Sequence, residues 1–183
     1  MQKYKYSIGV VHDFFTTSIP DVLRLYRLSP LEAERITMDT SSTLEEKLKD
    51  QRIANDIKNI DGFVFGVFID RLPQNVKARK QRTLLRAFNL FMDNMEKCLN
   101  EYLDHIVANH RDTIDNHLKG HPQSFSRNEM ELWQYITLYK WHNYRKISDL
   151  MKLSANQFNL IKYQLITSCL AIYKVKNFKN FTH

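Results

Sequence analysis

The sequence predicts a mainly α-helical protein, a helical bundle with a long amphipathic helix and a C-terminal helix-turn-helix. Only four Gly and four Pro occur in 183 residues, which indicates long elements rather than the many turns of an all-β protein. Apolar residues also recur in steps of three and four over a long central segment, as on one face of a helix. With 43% hydrophobic residues, the chain can bury a sizeable core.

Three serines mark predicted helix starts in the N-terminal half. Each is followed by a proline or an acidic residue at a position that favours the first helical turn. They are Ser18 before Pro20, Ser29 before Pro30 and Glu32, and Ser42 before Glu45. The third predicts a helix that continues to about Ile60.

The segment Phe63–Ile69 is the most apolar run and is rich in residues that favour strands. It follows Asp61-Gly62, which we interpret as a turn. Two alternatives remain open, because a short apolar run forms either a strand or a buried helix. In the first, it pairs with Tyr4–Val11 as a small two-stranded β element.

A single apolar stripe, here called the Leu85–Ile106 stripe, runs along the predicted long helix. Its members alternate in steps of three and four and are Leu85, Phe88, Met92, Met95, Leu99, Tyr102 and Ile106. This spacing is typical of a bundle core and also of a dimer seam. We expect the stripe to be largely buried, within the chain or in a homodimer.

A turn pattern at Gly120-His121-Pro122 ends this region and is the predicted domain boundary. Residues 1–120 are then an N-terminal helical or oligomerisation region, and residues 124–183 a DNA-binding domain. Charge supports the division. Eight Lys or Arg residues follow position 139 against one acid, Asp149, so the net charge of +7 resides in the last segment. A basic excess of this kind is typical of nucleic-acid-binding modules.

Within that segment, Ile147–Phe158 has the pattern of a short helix, a tight turn and a capped second helix. Ser154 is expected to cap the second helix, with Gln157 returning the bond. Helical spacing predicts that one face is buried by Phe158, Ile161, Leu165, Ser168 and Ile172. Leu160 and Leu170 fall on the opposite face, so they either meet a partner or show that this helix phase is wrong.

Polar side chains on that opposite face are the candidate DNA-reading groups, because Asn and Gln can pair with adenine in the major groove. The predicted base-reading residues are Asn156, Gln157, Asn159 and Tyr163. Cations around the corner would bind phosphates. The predicted phosphate-binding residues are Arg145, Lys146, Lys152, Lys162, Lys174, Lys176 and Lys179.

About the last 55 residues resemble the LuxR-type and sigma-factor region-four helix-turn-helix families. The start of the pattern is matched by Phe125, Ser126, Glu129, Glu131, Leu132 and Trp133, and its core by Ile147, Ser148, Met151, Leu153, Ser154, Gln157 and Phe158. Lys152 stands where these families have a turn glycine. The resemblance implies a sequence-specific DNA-binding transcription regulator without enzymatic activity, acting on double-stranded DNA.

Two other function classes stay open. One is a helical protein–protein interaction module, which a buried second helix would favour, whereas exposed Asn156 and Asn159 would favour DNA. The other is suggested by Arg111 and His117, whose spacing resembles the signature of HEPN ribonucleases. That resemblance implies metal-independent RNA cleavage, with His117 as the acid–base group and Arg111 as the phosphate binder.

We expect no cofactor and no metal, because the histidines around His117 lack a complete tetrahedral ligand spacing. Cys98 and Cys169 are far apart and have neither metal-ligand nor redox spacing, which favours a reducing compartment. No apolar run is long enough to span a bilayer. The expected location is therefore the cytoplasm, with no membrane partner.

Overall fold

The computed structural model describes residues 7–77, 81–138 and 143–173, and within these ranges the chain is helical and contains no strand. The helices are α1 (Ile8–Leu25), α2 (Pro30–Lys49), α3 (Gln51–Asp56), α4 (Ile60–Arg71), α5 (Gln74–Lys77), α6 (Gln81–Gly120), α7 (Arg127–Thr137), α8 (Tyr144–Leu150) and α9 (Ala155–Tyr173). A 3-10 turn, Pro122–Ser124, precedes α7. None of the described helices combines the length and hydrophobicity that a bilayer crossing requires.

The capping predictions divide into one that is confirmed and two that are wrong. Ser29 forms a complete capping box with Glu32 at the start of α2. Ser18 instead lies inside α1, whose buried apolar face continues past Pro20. Ser42 likewise lies inside α2, where Glu45 pairs with Lys49 at 2.7 Å rather than capping a helix. A helix that has already started satisfies the backbone, so these serines have no orphan N–H groups to cap.

Phe63–Ile69 belongs to α4, so the prediction of a two-stranded element is wrong for the described residues. The Asn59 side chain caps α4 by accepting a hydrogen bond from the Gly62 backbone at 2.9 Å, which makes Asp61-Gly62 a first helical turn. Val64, Phe65 and Phe68 are buried. Burial of these side chains by packing overrides their intrinsic strand preference. In the proposed partner segment, residues 8–11 are helical and residues 1–6 lie outside the described ranges.

Contacts divide the described chain into two compact units, and the division falls within α6. The first unit is Ile8–Cys98, in which α1 packs on α2 and α2 packs on α4. Its core contains an aromatic cluster in which the ring of Phe91 lies 6.4 Å from that of Phe15 and 5.5 Å from that of Phe65. Such tilted pairs stabilise a core beyond the area that they bury.

The second unit joins Ser7 to the described residues from Leu99 onward. It contains the rest of α6 together with α7, α8 and α9, and α7 packs on α9. Trp133 of α7 donates from Nε1 to Asp115 Oδ1 at 2.7 Å, which attaches α7 to α6. The turn at Gly120–Ser124 lies inside this unit. The predicted division into residues 1–120 and 124–183 as separate domains stays a prediction.

The Leu85–Ile106 stripe is buried in its second half only. Met95, Leu99, Tyr102 and Ile106 are buried, Phe88 and Met92 are half-buried, and Leu85 is 62% exposed. The prediction for Leu85 is therefore wrong. In the first unit the buried side chains of α6 are Ala87, Phe91 and Met95. These residues are spaced four apart, which is slightly more than one helical turn. The line of buried residues therefore winds around α6 and departs from the line that the Leu85–Ile106 stripe predicted.

Alanine substitutions will distinguish the two ends of this stripe. Leu99→Ala should destabilise the fold by about 2–5 kcal/mol, because it leaves a cavity in a fully packed site. Leu85→Ala is the matched control and should change the free energy of unfolding by no more than about 0.5 kcal/mol. Urea denaturation followed by circular dichroism measures both values. Equal losses for the two variants would contradict the observed helix phase.

Candidate nucleic-acid interface

The α8–α9 corner consists of α8, a four-residue turn and the start of α9. Asn143 caps α8 by accepting a hydrogen bond from the Lys146 backbone at 3.1 Å. After α8 the chain reverses at Lys152, whose φ of 54° lies in the left-handed region. The Lys152 N–H donates to the Asp149 carbonyl at 3.2 Å, which closes the turn. Lysine thus adopts the conformation that a turn glycine usually supplies.

Ser154 fixes the start of α9 through a reciprocal pair of bonds, as the sequence predicts. The Gln157 backbone donates to Ser154 Oγ at 3.4 Å, and the Ser154 backbone donates to Gln157 Oε1 at 3.0 Å. The side-chain oxygen of Gln157 therefore serves the cap. Gln157 is exposed, but reading a base through that oxygen would require it to leave Ser154.

Several polar groups of the corner are exposed. Arg145 and Lys146 lie in the first turn of α8, Lys152 lies in the turn, and Asn156 lies in the first turn of α9. The acidic Asp149 is also exposed on α8. Among the described residues, these three cations, Asn156 and Gln157 are the predicted DNA-binding residues that remain accessible.

Three other predicted DNA-binding residues are buried, which corrects the predicted outward face of α9. Asn159 is 8% exposed, Tyr163 is 1% exposed and Lys162 is 0% exposed. The helix is covered on most sides, because its buried residues are Phe158, Asn159, Ile161, Lys162, Tyr163, Leu165, Ile166, Ser168 and Cys169. A helix enclosed in this way cannot present one whole face to a groove.

Lys162 is enclosed by partners from three helices. Its ammonium donates to Asn100 Oδ1 of α6 at 2.8 Å. The same nitrogen lies 4.7 Å from the ring centroid of Phe158 and 5.2 Å from that of Tyr144. Aromatic faces attract a cation electrostatically, most strongly away from water. Lys162 therefore connects α6, α8 and α9 inside the unit and is not available to a phosphate.

Tyr144 extends this buried polar cluster. Its hydroxyl donates to Asp104 Oδ1 of α6 at 2.7 Å. Burial raises the pKa of the Tyr144 phenol, and the hydrogen bond and negative charge of Asp104 raise it further. The phenol stays protonated at neutral pH and continues to donate. Asn100, Asp104, Tyr144 and Lys162 together hold the corner against α6.

Sequence reasoning missed this cluster because its members are far apart in the chain. The available signal was the position of Leu160 and Leu170 on the face predicted to be outward. Both are half-buried. The predicted inner face is buried as expected at Phe158, Ile161, Leu165 and Ser168, so the wrong step was to treat the opposite face, with Asn159 and Tyr163, as exposed. The predicted phosphate-binding residues Lys174, Lys176 and Lys179 lie outside the described residues.

Arg111 and His117 do not converge on one site in the described structure. Arg111 Nε lies 3.5 Å from Asp115 Oδ2, and Arg111 lines a groove of about 550 Å³ that His117 does not line. His117 Nε2 is hydrogen-bonded to Ser124 Oγ at 3.0 Å, and its ring stacks on His121. Six residues along one α-helix correspond to about 120° around its axis. The ribonuclease hypothesis stays a prediction that this geometry does not favour.

In the part of the chain that the structure describes, no three His, Cys, Asp or Glu side chains form a group that could hold a metal ion. Cys98 and Cys169 are free thiols. Burial raises the pKa of the Cys169 thiol, and the nearby Glu129 charge raises it further. Cys169 is therefore a protonated core residue.

Replacement of Lys162 will test its placement. Lys162→Met keeps an unbranched side chain and removes the charge, so we expect folded protein whose titration with duplex DNA, at each salt concentration, is the same as that of the original chain. Lys162→Glu should destabilise the fold by about 3–5 kcal/mol, because it buries a carboxylate in a site that holds a cation in the original chain. Thermal denaturation and fluorescence anisotropy measure the two effects. A weaker salt dependence for Lys162→Met would show that Lys162 contacts phosphate.

Comparison with known proteins identifies no relative of this chain. The sequence matches no protein-family model, and neither a curated protein nor a solved structure matches it. The candidate interface therefore rests on its own residues, the exposed cations and amide of the α8–α9 corner.

Proposed function

We propose that the protein binds double-stranded DNA through the α8–α9 corner and acts as a transcription regulator. The observation that carries the proposal is the joint exposure of Arg145, Lys146, Lys152 and Asn156 at one capped corner. A cytoplasmic location and a role without catalysis belong to the same proposal. The proposed mode is end-on, with the first turn of α9 entering the major groove, because the rest of α9 is covered.

The electrostatics of the corner favour an anionic partner. The N-terminus of a helix carries a partial positive charge and unsatisfied N–H groups, which attract phosphates. Within the corner, the exposed cations Arg145 and Lys146 at the start of α8 and Lys152 in the turn before α9 outnumber the exposed acid, Asp149. Phosphate contacts of this kind orient a protein on DNA without specifying a sequence.

Sequence readout is assigned to the first turn of α9. Recognition helices contact base edges mainly with their N-terminal residues. Asn156 is exposed there, and its amide can bond bidentately with adenine. Gln157 is the second candidate if its side chain exchanges Ser154 for a base. The resemblance to LuxR-type and region-four helix-turn-helix sequences supports this assignment.

Charge removal at the corner should reduce DNA binding in a salt-dependent way. In Arg145→Gln/Lys146→Gln/Lys152→Gln, the plot of log affinity against log salt should flatten by about 2 to 3, because each lost phosphate contact releases one fewer counterion. The matched control Arg35→Gln/Lys47→Gln/Lys58→Gln removes three exposed cations from the first unit. Its slope should not change. No binding of the original protein to duplex DNA at low salt would refute the proposal.

Alanine substitutions at two asparagines of α9 should distinguish base recognition from a contribution to folding. Asn156→Ala should leave stability and non-specific binding unchanged and weaken the specific site by about 1–3 kcal/mol. Asn159→Ala should instead lower the free energy of unfolding by about 1–3 kcal/mol, because the buried amide is lost. The specific site is first obtained by selection from random duplexes. Affinity and urea denaturation are then measured for both variants.

A protein partner is the second candidate function. The observation that favours it is the burial of Asn159 and Tyr163, which removes half of the predicted base-reading set. Leu138 and Leu150 are also exposed in the same unit. Exposed leucines are typical of protein contacts when they form a contiguous apolar patch. Absence of DNA binding at low salt would favour this function.

A further inference from the structure

Two histidines lie one turn apart at the C-terminal end of α6. His117 is in the last turn of the helix, and the backbone N–H of His121, just beyond the helix, donates to the His117 carbonyl at 2.9 Å. This bond continues the helical spacing, so the two side chains lie on the same side of the helix end. Their ring centroids are 4.8 Å apart, and the angle between the ring planes is 18°. His121 is exposed and His117 is half-buried, so solutes reach the pair from the side of His121.

The separation of the two rings fits a shared transition-metal ion. Imidazole nitrogens bind Zn²⁺ at about 2.0–2.1 Å, so the ion lies roughly 3.2 Å from the centre of each ring. Two imidazoles that meet at such an ion at about 90–110° then have ring centres roughly 4.5–5.2 Å apart. The separation of 4.8 Å between His117 and His121 lies inside this range. Because the rings are nearly parallel, the exposed ring of His121 must turn about its side-chain bonds to direct a nitrogen at the ion.

Ser124 holds the inner ring of the pair. Nε2 of His117 is hydrogen-bonded to Ser124 Oγ at 3.0 Å. When Nε2 carries the proton and donates to this hydroxyl, Nδ1 keeps the lone pair that binds an ion. Partners of this kind fix the tautomer and the orientation of metal-binding histidines. The carbonyl groups of the last helical turn also favour a cation there. Lys119, which lies between the two histidines in the sequence, donates to Asn116 Oδ1 at 3.1 Å, so its ammonium is directed towards the preceding turn.

We propose that His117 and His121 bind one divalent transition-metal ion, such as Ni²⁺, Cu²⁺ or Zn²⁺, with water completing its coordination. These ions accept neutral imidazole as a ligand, whereas Mg²⁺ and Ca²⁺ prefer oxygen ligands. Since no group of three ligating side chains occurs among the described residues, the site has two protein ligands and is open, unlike a closed tetrahedral site. An ion held by both rings stabilises the end of α6, because it binds the folded helix end only. This inference does not depend on the proposed DNA binding.

Titration calorimetry of the full chain with Ni²⁺ tests the site. His117→Ala and His121→Ala should each weaken Ni²⁺ binding by about tenfold or more, because one imidazole cannot supply the second bond to the same ion. The matched control is His105→Ala/His110→Ala, which removes two histidines of the same helix whose ring centroids are 6.3 Å apart, too far for one ion. This control should bind Ni²⁺ as the original chain does. Mg²⁺ in excess should not compete with Ni²⁺.

Thermal denaturation distinguishes lost binding from lost folding. His121 is exposed, so without metal His121→Ala should unfold at nearly the same temperature as the original chain. Ni²⁺ should raise the unfolding temperature of the original chain and of the control, but not that of His121→Ala. No Ni²⁺ binding by the original chain up to about 1 mM would overturn the proposal. So would Ni²⁺ binding that neither His117→Ala nor His121→Ala weakens, because the ion would then lie at other residues.

Discussion

The arrangement of the second unit depends on how the buried ammonium of Lys162 is accommodated. A charge without partners in a protein interior costs several kcal/mol, so the fold must surround it with acceptors and aromatic faces. Asn100, Phe158 and Tyr144 do so from three helices. Since Tyr144 begins α8 and Phe158 lies in the first turns of α9, the same contacts also fix both helices of the corner. The contacts around this buried cation therefore hold the same helices that carry the exposed ones.

Local signals predicted the parts of the fold that depend on neighbouring residues. The cap at Ser29, the cap at Ser154 and the turn before α9 involve atoms within five residues of one another. Such bonds form whenever the backbone follows the expected course. Where a longer helix continued through the pattern, as at Ser18 and Ser42, the same residues had no unsatisfied N–H group to bind. A capping pattern thus predicts a helix start only where no helix is already present.

Packing determined what the sequence could not predict. Phe63–Ile69 has the composition of a strand, but its side chains are buried within a helical unit that offers no strand to pair with among the described residues. Lys162 resembles a surface residue, yet it combines a long apolar stem with one polar end, and that end donates a hydrogen bond to Asn100 inside the unit. Exposure depends on the surrounding helices, and these come from distant parts of the chain.

The left-handed backbone at Lys152 has a consequence for how its charge is presented. A lysine in this conformation is less favourable than glycine by roughly 1 kcal/mol, because its Cβ crowds the backbone. The turn keeps that conformation through hydrogen bonds to Ser148 and Asp149. The direction in which the exposed Lys152 side chain leaves the backbone is therefore fixed, while its stem stays flexible. The unfavourable backbone geometry thus sets the point from which this cation leaves the corner, but not where its ammonium ends.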